Sequence, residues 1–136
     1  MSEHNKIDTA KNMYAAFARG DIPAVLEMLA PDVEYEHNAP PEMVPFGGRF
    51  RGLDEVKRFY TLVGKSVRVE EFVPDQFIVQ GDDVVVVGHN RGSVIATGRE
   101  VGVRWAHILT FRNGLLARLR MFTDTATLAA AFGNCS

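Results

Sequence analysis

The chain has 136 residues, 46% hydrophobic, 24% charged and 10% aromatic, the balance of one globular domain around a single core. Fifteen basic and 17 acidic residues leave a net charge of −2, which excludes the electrostatic footprint of a nucleic-acid binder. The valine run 84–87 is far short of the roughly 20 residues a membrane helix needs. One cysteine, Cys135, excludes an intrachain disulfide and a cysteine zinc cage. With a polar segment over residues 1–10 and no apolar signal core, the expected compartment is a reducing cytoplasm.

Ile7, Ala10, Met13, Tyr14 and Phe17 recur at helical spacing and predict a helix over 6–19, stopped by Gly20. Asp21 can cap a second helix with Pro23 in its first turn and Ile22, Val25, Leu26 and Leu29 as its buried stripe. Pro31-Asp32 is expected to stop it. Val33, Tyr35 and His37 alternate with Glu34, Glu36 and Asn38, the pattern of a strand with one buried face. Residues 39–52 carry three prolines and three glycines and read as an irregular loop. Its apolar members Met43, Val44, Phe46 and Phe50 could close over a core or a pocket. A third helix follows to Val63, with Val56, Phe59, Tyr60 and Val63 inward and Gly64 as its stop.

The rest is β-rich. Strands are predicted over 67–80, 84–96, 101–111 and 115–123, joined by turns at Gly81-Asp82-Asp83, Gly98-Arg99-Glu100 and Arg112-Asn113-Gly114. Pro74-Asp75 should bend or bulge the first of them, because proline lacks a ladder donor. A short helix over 124–132 ends at Gly133. Helices segregated from antiparallel strands define an α+β domain. A long antiparallel sheet must curl around its helices to cover one face, which leaves a concave space at the open end.

The segment from Tyr14 to Leu26, followed by Leu29-Ala-Pro-Asp-Val-Glu-Tyr35, resembles the opening of the NTF2-like superfamily, and within it the SnoaL-like polyketide cyclase and ketosteroid-isomerase-related branch. Pro45-Phe-Gly-Gly-Arg-Phe-Arg-Gly52 with Asp54-Glu-Val56, Trp105-Ala-His-Ile-Leu-Thr-Phe111 with Gly114-Leu-Leu116, and Asp124 with Leu128 and Gly133 are similar to later parts of that branch. The likeness covers almost the whole chain as a single domain, 1–136. It implies a cone-like curved mixed sheet around three helices of the N-terminal half, an apolar pocket, no cofactor, and a homodimer through the outer sheet face. The implied partner is an apolar, oxygenated small molecule, with no nucleic acid or membrane, and the implied activity is isomerisation or cyclisation by proton transfer next to a carbonyl.

Polar residues on apolar strand faces are the candidates for chemistry. Val101, Val103, Trp105, His107, Leu109 and Phe111 share one face, so His107 should sit among buried groups that hold it neutral. It reads either as an acid, base or donor, or as a core histidine satisfied by a backbone carbonyl. His37 stands at the mouth of the Pro/Gly loop, in a cavity or at an exposed strand end. By the resemblance, His37 falls where ketosteroid isomerases place the proton-moving carboxylate and His107 where they place the protonated acid of the oxyanion hole. The family's oxyanion tyrosine falls near Met13, one place from Tyr14. His37 and Asp124 are thus the acid/base candidates, with His107 as donor to developing negative charge and a pH profile governed by a group titrating near neutrality.

Asp124 also begins a helix and reads as its N-cap. Water addition to an epoxide, which needs a carboxylate–arginine–carboxylate relay, is the alternative chemistry. A non-catalytic binding or assembly module is the alternative to an enzyme. Tyr14, Tyr35, Tyr60, Trp105, Phe46 and Met43 are the expected substrate-binding residues. His89 is assigned either to the pocket or to a dimer interface. No ligand pair shows local metal spacing, so no metal is expected, although His37, His89 and His107 could in principle converge.

Overall fold

The computed structural model describes residues 2–133. Its elements run α1 (Glu3–Ala18), α2 (Ile22–Glu27), β1 (Leu29–His37), β2 (Gly48–Arg51), α3 (Gly52–Ser66), β3 (Val67–Gln80), β4 (Asp83–Val94), β5 (Glu100–Arg112), β6 (Leu115–Thr123) and α4 (Thr125–Ala131). Each helix starts where a side chain satisfies orphan N–H groups. Ser2 accepts from Asn5 N–H, Asp21 from Ala24 N–H, and Asp124 from Thr127 N–H. At α3 the Glu55 carboxylate accepts the Arg51 N–H at 2.8 Å.

The six strands form one curved, unclosed mixed sheet in the order β2-β1-β6-β5-β4-β3. Every neighbouring pair is antiparallel except β1 and β6, which run parallel. The concave face carries Val33 and Tyr35 from β1, Val84 and Val86 from β4, Trp105, Leu109 and Phe111 from β5, and Leu119 and Met121 from β6, all buried. The helices supply Ala10, Met13, Tyr14, Val25, Val56 and Phe59 to the same core. Burial on one face only is why β5 alternates so regularly in sequence. The shift in β3 register between Pro74 and Gln76 is the irregularity that Pro74 predicts.

Three boundaries differ from the sequence reading. α2 ends at Glu27 and Leu29–Pro31 belong to β1, so Pro31-Asp32 does not stop a helix. Pro31 lies in the stretch where β1 slips register against β6, between Leu29 and Glu34, a place where a missing ladder donor is tolerated. Residues 48–51, expected as loop, form the edge strand β2, pairing Phe50 with Tyr35 and Gly48 with His37. Gly64 lies inside α3 rather than ending it.

Candidate active site

A single register line crosses the sheet at the depth of the site. Phe77 pairs with Val86, Val86 with His107, His107 with Met121, and Met121 with His37. Both histidines therefore face the concave side from β1 and β5, with one strand between them. Neighbouring strands lie about 4.8 Å apart, so the two backbones are separated by about 10 Å. Two residues along β5, toward the rim, Trp105 pairs with Thr123 and Gly88.

His37, His107, Met121, Trp105 and Thr123 border a cavity of about 140 Å³, bounded also by Met13, Tyr14, Phe17, Phe46, Phe59, Tyr60, Phe72 and Asn90, with no Asp or Glu among the described residues of its wall. Arg68, Val69 and Arg91, all exposed, mark its rim. A cavity of roughly 150 Å³ is known to admit benzene, so the space suits a ring-sized group.

Aromatic rings form the wall. Trp105 stacks on His107 at 4.1 Å between ring centres, on Phe72 at 4.9 Å and on Tyr14 at 5.8 Å. The indole lies flat across β4 because position 88 is glycine. A Cβ there would come within 2.5 Å of the indole ring and against the Val73 carbonyl.

The two imidazoles differ in how their inner nitrogens are held. The Ala39 N–H donates to His37 Nδ1 at 3.1 Å. A backbone N–H can only donate, so His37 Nδ1 is unprotonated and its proton sits on Nε2. His107 Nδ1 lies 2.7 Å from the Tyr14 hydroxyl, which can donate or accept. At rest the more acidic phenol donates to the more basic imidazole. His107 can nevertheless pass to its other tautomer, donating Nδ1–H to Tyr14 and freeing an Nε2 lone pair. His37 cannot do so without losing its backbone bond.

Burial keeps both rings neutral. It lowers the pKa of His37 from 6.5 to about 4 and that of His107, which also feels His37, to about 3. The apolar wall disfavours the imidazolium at both positions. Burial also raises the pKa of Tyr14, Tyr35 and Tyr60, so all three remain phenols.

Tyr14, His37, Phe46, Tyr60, Trp105 and His107 are brought together as expected, and three expected residues are not. Tyr35 is fully buried behind the wall, with its hydroxyl 2.7 Å from that of Tyr60. Met43 is 40% exposed and lies outside the cavity wall. Asp124 caps α4, taking bonds from the Thr127 N–H and hydroxyl that hold its carboxylate below the usual range, and it lines no part of the cavity.

His89 is on the opposite face from His37 and His107. There its ring nitrogens contact Asp75 at 2.8 Å and Glu71 at 3.2 Å, and these partners raise its pKa. It does not face the cavity, and the three histidines do not converge. Sequence reasoning missed Thr123 and Asn90, which line the cavity. Thr123 sits in the same row as Leu119 and Met121, and that parity was the available signal.

A curved, unclosed mixed sheet wrapped over helices is the NTF2-like architecture. The SnoaL-like domain matches residues 10–119, and the chain belongs to that family. It is 32% identical to an NTF2-like protein of unknown function from Burkholderia pseudomallei K96243, whose structure matches with a TM-score of 0.88 over 98% of this chain and 100% of that one. TerC, solved as a co-crystal with polyporic acid, is 27% identical, with a TM-score of 0.86 over 96% of this chain and 99% of that one. An uncharacterised protein of Mycobacterium tuberculosis strain H37Rv is 27% identical over 126 residues, 90% of this chain and 91% of the relative.

Proposed function

We propose that this protein is an enzyme that needs no cofactor and moves a proton next to a carbonyl in an apolar, oxygenated, ring-sized molecule, as an isomerase or cyclase. The observation that carries this reading is the pair of neutral imidazoles on one apolar cavity, one fixed as a donor and one free to switch. The co-crystal of TerC with polyporic acid supports a small organic molecule as ligand.

In this scheme His37 Nε2–H donates to the carbonyl oxygen and stabilises the enolate, a role a neutral imidazole fills well. His107 takes the carbon-bound proton at Nε2 while Nδ1–H is held by Tyr14, then returns it. This differs from the sequence expectation, in which His37 and Asp124 were the acid/base candidates and His107 the donor. A carboxylate relay for epoxide opening has no support in a wall without Asp or Glu.

The test is deuterium exchange at the carbons flanking the carbonyl of 2-indanone, followed by NMR. Acceleration over buffer is expected. Binding without acceleration would instead favour the non-catalytic reading, which the missing carboxylate also favours. Asp124→Ala is expected to lower the thermal midpoint by a few degrees through loss of the cap and to leave exchange unchanged. A large loss of exchange would return Asp124 to the chemistry.

On the outer face, Val87 and Ala106 are half-buried and Phe122 is 40% exposed, with no helix over them among the described residues. This supports a homodimer through that face. Light scattering should give twice the chain mass, and a monomer mass at high concentration would sink the idea.

A further inference from the structure

The polar atoms around the cavity are unbalanced. Tyr35 is fully buried, and the Tyr60 oxygen at 2.7 Å is the only partner of its hydroxyl among the described residues. Tyr35 must therefore be the donor, since the opposite arrangement would strand its proton in the core. Tyr60 then accepts, and its own proton has no acceptor within the described chain, although the residue lines the cavity. Trp105 Nε1 and Thr123 Oγ1, on facing positions of β5 and β6, are also buried without partners. His37 Nε2–H, which has no partner among the described residues, completes a set of four donors around a space whose described wall holds no carboxylate. Buried donors left unpaired are costly, so the occupant must supply acceptors in more than one place.

We propose that the site is selective for ring compounds carrying two separate carbonyl-type oxygens, a dione or quinone, one held by His37 and the other by the Tyr60 hydroxyl that Tyr35 orients. This rests on the cavity being the ligand site, as argued above, and adds the substrate class and a specificity residue. His37 and Tyr60 approach the ligand from β1 and α3 respectively, so each oxygen has its own donor. A ligand with one oxygen leaves one donor unpaired.

A matched pair of non-ionising probes tests this: 2,2-dimethyl-1,3-indandione and 2,2-dimethyl-1-indanone, which differ by one carbonyl. Trp105 is the single tryptophan and borders the cavity, so its fluorescence reports occupancy, with calorimetry as the cross-check. The dione is expected to bind about tenfold more tightly, the scale of one hydrogen bond made to an otherwise unpaired buried donor.

Tyr60→Phe should reduce that ratio to near one while leaving the affinity for the mono-ketone unchanged. If that variant is unstable because the Tyr35 hydroxyl is orphaned, the double variant Tyr35→Phe/Tyr60→Phe removes both partners together and should give the same collapse. Equal affinities in the wild type, or a dione preference that survives the loss of Tyr60, would overturn the proposal even if 2-indanone exchange is catalysed. Failure of both probes to bind would overturn it together with the ligand-site reading.

Discussion

His107→Asn is expected to lower deuterium exchange of 2-indanone by about 100-fold, the low end of what a positioned acid or base contributes. Asparagine is the informative replacement. Its side-chain oxygen can still accept from the Tyr14 hydroxyl, which lies 2.7 Å from His107 Nδ1, so no buried phenol is left without a partner. What disappears is Nε2, the atom assigned to carry the proton. A leucine would confound this loss with the cost of an orphaned buried hydroxyl on Tyr14. The wild-type rate should also be flat between about pH 6 and pH 8, because His37 and His107 titrate at about 4 and about 3 and both remain neutral throughout. A variant as active as wild type, or a rate that turns over near pH 6.5, would remove His107 from the mechanism.

The same burial predicts a large effect of acid on stability. His37 has a folded pKa of about 4 against 6.5 for an unburied imidazole. Between those values the unfolded chain binds a proton that the folded chain refuses, so stability rises with pH across the window and falls as acid is added. Above about pH 6.5 the contribution is fully present. By about pH 4 the loss amounts to about 3 kcal/mol from His37 alone, and His107, lowered to about 3, acts in the same direction.

His37→Asn retains an acceptor for the Ala39 N–H and removes the titration. Urea unfolding at about pH 7 should find the variant close to wild type. At about pH 4.5 the variant should be the more stable of the two by roughly 2–3 kcal/mol. Parallel loss of stability in both proteins would show that His37 is not held neutral by burial.

The strand pattern around Trp105 shows how much local sequence can carry. Val101, Val103, Trp105, His107, Leu109 and Phe111 alternate with polar or small residues, and a half-buried strand has period two. The face of His107 was therefore legible without coordinates, as was that of His37 beside Val33 and Tyr35. The caps Asp21 and Asp124, the bend at Pro74 and the stop at Gly20 were legible for the same reason, since each depends on neighbours within a few residues. Pro31 misled because a proline that ends a helix and a proline at a register slip look alike in one dimension. The edge strand over Gly48–Arg51 was hidden because its pairing partner, β1, lies more than ten residues away and its glycines read as loop.

Sequence by itself determined the α+β class, the inward faces of the strands and the presence of two histidines on apolar rows, because periodicity and capping are local. Tertiary structure alone decided that β1 and β5 lie one strand apart with Met121 between their histidines. It also decided that Tyr14 meets His107 and leaves that imidazole able to switch, and that Tyr35 stands behind Tyr60 rather than in the wall. Those facts depend on strand order and on contacts between residues 93 and 25 positions apart, and no local pattern encodes which partner a buried hydrogen-bonding group will meet.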